Sequence, residues 1–314
     1  MITPHPNMRE AYGLALLELG KRDRNVVALE ADLGKSTRSV LFQDAFPERY
    51  FQMGIAEQNM TATAAGLALA GKIPFIHSFA VFATGRAYDQ LRNSICIPGL
   101  KVRVCGSSSG LSDFGDGKTH QSVEDVNLMR ALPGMTVLSP ADSIETVKMM
   151  DCLIDWPGPV YIRINRSDLP FLYPQDEPYS IGKITQLRKG GDVALLAAGV
   201  MVSRSLEAAG LLAAKGIEAG VYNVSTIKPM NQEAMVEAVS GVRAIVVAEE
   251  HNLIGGLGSA VLETLRSVPH APVELVGIRD CFGQSAACYE DILLHFGLTA
   301  QAVAGAALGL LGRS

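Results

Sequence analysis

The chain has 314 residues, of which 48% are hydrophobic and 19% are charged, and its formal net charge is −5. This composition excludes a disordered chain and predicts a large buried core, and the length favours two domains. Because both signs of charge are scattered along the sequence, neither nucleic acid nor an anionic membrane is expected as a partner.

Features of membrane, export and disulfide proteins are not found in the sequence. No apolar run reaches the roughly 18 residues of a membrane span, and the first residues, "MITPHPNMREAYG", lack the basic start and apolar core of a secretory signal. The five cysteines are widely spaced and form no CxxC pair, so we predict neither a disulfide framework nor a metal site. A cytoplasmic location is therefore expected.

Helical segments and short apolar strands alternate through the first part of the chain. "MREAYGLALLELG" has helical spacing and is predicted to end at Gly20, and "NVVALEADLG" predicts a buried strand that leads into a loop. Further strands are predicted at "KIPFIHSF", "LKVRVCG", "MTVLSP" and "GPVYIRI". Uninterrupted apolar strands between helices are typical of a mainly parallel sheet with helices on both faces.

A change in composition near residue 170 divides the chain. The stretch "SDLPFLYPQDEPYSIGKITQLRKGG" holds three prolines and three glycines, so we predict a linker at 171–190. A second alternation follows through "DVALLAAG", "EAGVYNV", "AIVVAEE" and "VELVGI". The predicted fold class is α/β, with two consecutive domains at 1–170 and 191–314, each a mainly parallel sheet covered by helices on both faces.

A single acid, Glu57, begins a helix made mostly of small residues, "EQNMTATAAGLALAG". Its position alone is explained by the helix dipole, which favours an acid there by under ~1 kcal/mol. Small residues also permit close packing that would bury the carboxyl, and buried carboxyls have raised pKa values and exchange protons near neutral pH. Phe79 and Phe82 follow, three residues apart, either as core residues or as a wall on which a flat heterocycle stacks.

Several motifs together resemble the transketolase-type thiamine-diphosphate enzymes. "GIAEQNMTATAAG", the Phe-rich segment that ends in "RAYDQ", and "DGKTHQ" are similar to the pyrimidine-binding domain of that family. "AEEHNLIGGLGSAVLETL" and "RDCFGQSA" are similar to its C-terminal domain. The resemblance covers nearly the whole chain in the family's order, and it implies the two-domain α/β fold.

The resemblance implies cofactor contacts for four residues. Glu57 would face the aminopyrimidine nitrogen of thiamine diphosphate and serve as the catalytic proton relay that activates the cofactor. Phe79 and Phe82 would line the pyrimidine pocket, and Asp32 would also bind the cofactor. Gly85 stands where the family often has a tyrosine, so this wall is expected to be more open.

The hexapeptide "DGKTHQ" would hold the sugar. By resemblance, Asp116 and His120 point at the hydroxyls and the carbonyl of the substrate, and His120 is also a catalytic residue. An acid and an imidazole suit this task, because a ketose needs several hydroxyl contacts while protons move at its oxygen. Gln121 would orient the other two.

Three residues match family positions that hold the substrate phosphate, namely Arg9, Ser36 and Arg166. Arginine suits this role through its bidentate fork, although each arginine taken alone also fits a solvated surface charge. The family usually carries a phosphate-binding histidine in the loop where this chain reads "GSSSG". Ser107 or Ser108 is the candidate replacement.

The second domain is expected to be architectural. His251, within "EEHNLIGGLG", is open to two interpretations, as a functional residue or as part of a dimer contact. The glycines that follow it resemble a phosphate cradle, but a single Gly-rich turn is weak evidence.

The family's N-terminal domain carries a "GDG…N" motif that binds Mg²⁺ and the cofactor's diphosphate, and no segment of this sequence matches it. The "GDG" at 115–117 lacks a suitable Asn-containing partner. We therefore expect a subunit of a split transketolase, which transfers two-carbon ketol units between sugar phosphates. A separate N-terminal subunit would supply the missing motif and hold Mg²⁺, in an assembly of two plus two.

Two alternatives remain open. The first is another thiamine enzyme, either the beta subunit of a 2-oxoacid dehydrogenase or a relative of deoxyxylulose-phosphate synthase. The second is a non-catalytic regulatory or binding subunit that has kept the fold. "DGKTHQ" and the phosphate residues favour a sugar phosphate, and the presence of Glu57, Asp116 and His120 together favours catalysis.

Overall fold

A computed structural model describes residues 5–312 of the chain. The strands are β1 (Val26–Glu30), β2 (Tyr50–Gln52), β3 (Ile73–Phe79), β4 (Arg103–Ser107), β5 (Thr136–Leu138), β6 (Val160–Ile164), β7 (Thr185–Arg188), β8 (Val193–Ala197), β9 (Ala219–Asn223), β10 (Thr226–Lys228), β11 (Ala244–Asn252) and β12 (Val273–Ile278). The α-helices are α1 (Met8–Arg22), α2 (Gly34–Thr37), α3 (Val40–Ala45), α4 (Glu57–Leu69), α5 (Tyr88–Gln90), α6 (Asp125–Ala131), α7 (Ser143–Leu153), α8 (Met201–Ala213), α9 (Gln232–Ala238), α10 (Leu257–Leu265), α11 (Tyr289–His295) and α12 (Ala300–Leu310).

The strands form two sheets. The first has seven strands in the order β10-β5-β6-β4-β3-β1-β2, and the second has five in the order β12-β11-β8-β9-β7. All neighbours are parallel except β10, which is antiparallel to β5, and β7, which is antiparallel to β9. The predicted α/β class with two mainly parallel sheets is confirmed.

Both faces of each sheet are packed, as continuous apolar strands predict. In β8, Leu195 and Leu196 are fully buried and point to opposite faces, where they belong to two separate core clusters. Helix α1 continues two residues past the predicted end at Gly20. Gly20 lies inside the helix, where a Cβ would be only 2.4 Å from the Phe42 ring, so the position has room for glycine alone.

Two strands depart from the predicted division of the chain. Strand β7 lies within the segment that the sequence predicts as a linker and forms an edge of the second sheet, whereas β10 follows β9 along the chain but joins the first sheet. The Asp142 carboxylate, at the start of α7, accepts hydrogen bonds from the N–H groups of Leu172 and Tyr173 at 2.5 and 2.7 Å. The boundaries at 170 and 190 stay predictions, and residues 1–4 and 313–314 of these ranges lie outside the described residues.

By length and composition alone, one described segment could span a membrane, the 22 residues Tyr289–Leu310 with a mean hydropathy of 1.5. It is divided into α11 and α12 by residues 296–299. Ile292 and Val303, one from each helix, are fully buried in the core around the second sheet. Buried core helices of this kind share the composition of membrane spans.

Candidate active site

Glu57 is the first residue of α4, and its side chain is 1% exposed. Its Oε2 accepts a hydrogen bond from Arg86 Nη1 at 2.8 Å, and its Oε1 lies 3.4 Å from the donating Ser78 Oγ near the end of β3. The buried face of the helix carries Met60 together with the small residues Thr61, Ala64 and Ala65, which permit its close approach to β3. The carboxylate therefore has one close charged partner, and that arginine is 47% exposed.

Three rings form a wall beside this acid, which we call the aromatic wall (Phe79, Phe82 and His120). The two phenylalanines are stacked with centroids 6.2 Å apart and planes inclined by 16°. The His120 imidazole meets both rings edge-on, at 6.1 and 5.4 Å. The Arg86 guanidinium lies 4.8 Å from the centroid of Phe82. A π-helical turn at 82–86 places these groups together, and the wall is open at Gly85, where a Cβ would meet no atom within 4 Å.

The hexapeptide "DGKTHQ" lies at the carboxyl end of the first sheet, a usual place for a ligand site. Asp116 is exposed and precedes a short 3₁₀ turn, and Thr119 Oγ1 lies 2.9 Å from His120 Nδ1. Gln121 is buried, and its Nε2 donates to the Asp113 carbonyl at 3.2 Å and to the Gln284 carbonyl at 2.9 Å. The hexapeptide is thus held against a loop of the second half of the chain.

Arg9, Ser36 and Arg166 come from three distant stretches and meet at one place. Arg9 Nη1 donates to the Ser36 carbonyl at 3.1 Å, and Arg166 Nη1 donates to Asp113 Oδ1 at 2.6 Å. Burial, together with the positive charges of Arg166 and Arg38, lowers the pKa of Arg9. Burial also raises the pKa of Asp113. Within the described part of the chain, Arg9 Nε and Asp113 Oδ2 are buried without a hydrogen-bond partner.

The segment from the end of β4 to residue 122, which begins with the serine loop (residues 107–109), also contains buried polar atoms without a hydrogen-bond partner in the described part of the chain. The hydroxyls of Ser107, Ser108 and Ser122 are fully buried, and none has a hydrogen-bond partner among residues 5–312. Most buried polar groups in proteins are hydrogen-bonded, so these hydroxyls are available to a further partner. Ser108 adopts the left-handed conformation, with φ of 52°.

Two family models match nearly the whole chain. The model described as "Transketolase, pyrimidine binding domain" matches residues 5–171, and the model described as "Transketolase, C-terminal domain" matches 182–303. The chain belongs to the transketolase family.

Similar proteins match this transketolase chain over nearly its whole length. The 6-deoxy-6-sulfo-D-fructose transketolase subunit SqwH of Clostridium sp. (strain MSTE9) is 42% identical, over 96% of this chain and 93% of that protein. An apulose-4-phosphate transketolase subunit of Phocaeicola vulgatus is 34% identical, over 96% of each. A solved structure described as "Split gene transketolase, inactive beta4 tetramer" is 44% identical, with a TM-score of 0.88 over 98% of both chains. The predicted family, the split transketolase subunit and the transferase class are confirmed.

Asp32 and His251 are the two remaining candidate residues of this transketolase chain. Asp32 is exposed on the loop after β1, with φ of 65°, and its N–H donates to Gln52 Oε1 at 3.0 Å; its role at the cofactor stays a prediction. His251 is fully buried inside the chain, and its Nε2 accepts a hydrogen bond from the N–H of Asn127 at 3.4 Å. Its imidazole therefore faces the interior and no surface. In the described range, no cluster of three or more His, Cys, Asp or Glu side chains is arranged to hold a metal ion.

The sequence did not point to Arg86 and Asp113, which contact Glu57 and Arg166 in the candidate site. Arg86 lies inside the quoted motif "RAYDQ" and four residues after Phe82, which is the spacing of neighbours on a helix. Asp113 precedes the hexapeptide, and only its pairing with Arg166, 53 positions further along the chain, marks it out. The first could have been found from the motif, whereas the second depends on a long-range contact.

Proposed function

We propose that this chain is the pyrimidine-binding subunit of a split transketolase that moves a two-carbon ketol unit between sugar phosphates. A separate N-terminal subunit would carry the "GDG…N" motif and hold Mg²⁺ and the diphosphate of thiamine diphosphate, and the complex would be cytoplasmic. One observation carries the proposal. Glu57, the aromatic wall, Arg9 and Arg166 all lie at the carboxyl end of the first sheet.

The residues present fit an aminopyrimidine ring. The aromatic wall offers flat apolar surface that is open at Gly85, and a buried carboxylate lies beside it at Glu57. Thiamine diphosphate, when bound, supplies the electron sink that ketol transfer requires. This chain would bind the pyrimidine end, and the partner would hold the remainder.

Glu57 would hold and release the proton at the pyrimidine. Its Oε2 is occupied by Arg86, whereas Oε1 has only the weak 3.4 Å contact with Ser78. We therefore assign the exchangeable proton to Oε1. Because Glu57 is 1% exposed, little water reaches its carboxyl, which would strengthen a hydrogen bond to a ring nitrogen.

Asp116 and His120 would bind the sugar hydroxyls and carbonyl, and the edge-on contacts with Phe79 and Phe82 fix the orientation of the imidazole. The anionic end of the substrate would bind Arg9 and Arg166 together with Ser36. Burial and the charge of Arg166 lower the pKa of Arg9, and a bound dianion would offset this effect; Arg9 Nε still has a free donor for it.

The partner surface is proposed to include the exposed face of α4. Ile55, two residues before the helix, and Leu69, its last residue, are each 75% exposed. Ala62 and Gly66 are exposed on the same side as Leu69, and their small size permits close approach of another chain. The related split-gene structure is described as an inactive tetramer of beta chains. This description supports the requirement for a second type of subunit, in an assembly of two plus two.

The experiment is to co-express the chain with the N-terminal subunit that it recruits, purify the complex and measure ketol transfer with thiamine diphosphate and Mg²⁺. We expect turnover of ketose phosphates only when both subunits are present. Turnover of pyruvate or of branched 2-oxoacids without ketose phosphates would instead assign the chain to the other thiamine enzymes.

Glu57→Gln tests whether the chain contributes chemistry. The amide keeps the shape of the side chain but cannot exchange the proton, so turnover should fall by at least ~100-fold. Glu249→Gln is the matched control, because Glu249 is also a buried acid and its bonds to the N–H groups of Leu257 and Gly258 cap α10, away from the site. Unchanged turnover in Glu57→Gln would establish the non-catalytic alternative.

A second substrate class is favoured by the serine loop. Ser107 and Ser108 stand where a phosphate-binding histidine is usual, and the SqwH relative is named for a sulfonated sugar. A sulfonate offers three oxygens like a phosphate but carries a single charge. Comparing kcat/KM for fructose 6-phosphate and 6-deoxy-6-sulfo-fructose as donors would assign the anion. The main proposal, a sugar phosphate, predicts the higher value for the phosphate, and a higher value for the sulfonate would establish the second substrate class.

A further inference from the structure

Glu250 reaches from the second sheet into the first domain. It lies on β11 and is 4% exposed. Its Oε1 accepts hydrogen bonds from the Leu111 N–H and from the Tyr289 hydroxyl, both at 2.8 Å. Asn165 Nδ2 lies 3.5 Å from Oε2 and donates to the Tyr289 hydroxyl at 2.6 Å. One carboxyl group is therefore connected to two separate segments of the first domain.

Each of these segments carries residues of the proposed anion site. Leu111 lies in the loop between the buried serines Ser107 and Ser108 and the acid Asp113. Asn165 directly precedes Arg166, and its Oδ1 accepts the N–H of residue 167 at 2.8 Å. The bond from Arg166 to Asp113, at 2.6 Å, then joins the two segments on the substrate side.

The contact between Glu250 and the loop is a close one. Gly110 has φ of 62°, and a Cβ at this position would lie 2.4 Å from the carboxyl carbon of Glu250. Only glycine permits both the left-handed backbone and this approach. The N–H of Leu111 is directed at the carboxyl group as a result, and the loop has little room for another position while Glu250 is present.

We propose that Glu250 is a positioning residue that sets the anion-binding end of the substrate site from the second domain. The inference rests on the proposed function of Arg9, Ser36 and Arg166. Without Glu250, the serine loop and the strand end before Arg166 lose their common anchor, so the anion is bound less tightly. The chemistry at Glu57 is unaffected, because no hydrogen bond of Glu250 leads to that carboxyl.

The test uses the complex with the N-terminal subunit and measures kcat and KM for a ketose phosphate and for the same ketose without its phosphate. In Glu250→Ala, the buried Leu111 N–H and the Tyr289 hydroxyl lose their acceptor, so the serine loop loses its anchor. We therefore expect KM for the phosphorylated ketose to rise by about tenfold or more. The kcat value and KM for the unphosphorylated ketose should stay within about twofold. Glu250→Gln should restore much of the affinity, since the amide oxygen can accept the bond from Leu111.

Two further variants separate positioning from general stability. Tyr289→Phe removes the hydroxyl that donates to Glu250 but keeps the ring in place. The same two KM values can therefore be measured in this variant if Glu250→Ala fails to fold. Glu249→Gln changes the neighbouring buried acid, whose backbone hydrogen bonds at 2.6 and 2.8 Å stay within the second domain, and should leave both KM values unchanged. An equal loss on both ketoses in Glu250→Ala, with a lowered melting temperature, would overturn the proposal.

Failure of the proposed function is distinguishable from failure of this inference. If the wild-type complex transfers no ketol unit, the proposed function is wrong, and the anion site is then examined by the rise in melting temperature with added inorganic phosphate. A wild-type rise that Glu250→Ala reduces, but Glu249→Gln does not, supports the positioning role. Equal rises in all three proteins, or no rise in any, overturn it.

Discussion

Arg86 connects the proposed proton relay to the aromatic wall. Its guanidinium donates to Glu57 Oε2 at 2.8 Å while lying 4.8 Å from the centroid of Phe82. A planar guanidinium can bond a carboxylate and stack on a ring at the same time, whereas an ammonium group cannot maintain both contacts. The side chain therefore aligns the acid with the ring beside it.

Arg86→Lys is expected to lower turnover by about tenfold and to raise the concentration of thiamine diphosphate needed for half saturation. The physical reason is the loss of one charge-assisted hydrogen bond or one cation–π contact, worth about 1–2 kcal/mol. Cofactor titration of the assembled complex measures both effects. Arg92→Lys, at an exposed arginine bonded to Asn93, is the control, and equal cofactor curves for the two variants would contradict the role of Arg86.

At the scale of elements, two helical glycines have opposite surroundings. In α1, a Cβ on Gly20 would lie 2.4 Å from an atom of the buried Phe42 ring. In α8, a Cβ on Gly210 would meet no atom within 4 Å, and the residue is exposed. The same amino acid is thus needed for packing in one helix and is only a weak helix former in the other.

Gly20→Ala and Gly210→Ala should change stability in opposite directions. The first should lower the free energy of unfolding by about 1–3 kcal/mol, because the core around Phe42 must move to admit a methyl group. The second should raise it by roughly 0.5–1 kcal/mol through the lower chain entropy of alanine in the unfolded state. Urea unfolding of the two variants beside the wild type decides this, and a stabilised Gly20→Ala would refute the packing argument.

At the scale of the whole molecule, two buried carboxyls lie between the halves of the chain. Glu145, on α7, accepts from the Ala141 N–H at 2.7 Å and from Asn223 Nδ2, at the end of β9, at 2.9 Å. Burial raises the pKa of Glu145 to about 7, and it also raises the pKa of Glu250 to about 7. Both carboxyls are therefore more easily protonated in the folded chain than in the unfolded chain, where a glutamate titrates near ~4.3.

The contribution of these two carboxyls to the free energy of unfolding should consequently fall as the pH rises. The folded pKa lies above the unfolded one, so the contribution of Glu145 is fully present below about pH 4.3 and is lost as the pH rises through about 7. The difference in unfolding free energy between wild type and Glu145→Gln should therefore shift against the wild type from pH 5 to 8, by up to about 1.4 kcal/mol per pH unit below the folded pKa. Urea titrations at each pH measure this, and a constant difference would contradict it.

The sequence by itself determined the fold class and most of the strands, with β2, β7 and β10 as the exceptions, and it indicated candidate residues for the site. Apolar runs such as "VALLA" in β8 predict buried parallel strands because the preference for burial is carried by each short segment. Glu57, Phe79 and Phe82 are marked out by local features, the helix start and the ring spacing, whereas their predicted roles came from the resemblance to the family. The motif order around "DGKTHQ" placed Asp116 and His120 and indicated the transketolase family.

The tertiary structure decided the contacts between distant segments. It paired Arg166 with Asp113, brought Arg9 to Ser36 and added β10 to the first sheet. It also placed a carboxyl group from the second sheet against the serine loop, in a domain that the sequence indicated as purely architectural. These contacts join residues far apart along the chain, and they form only once the chain has folded, so no local pattern of polar and apolar residues specifies them.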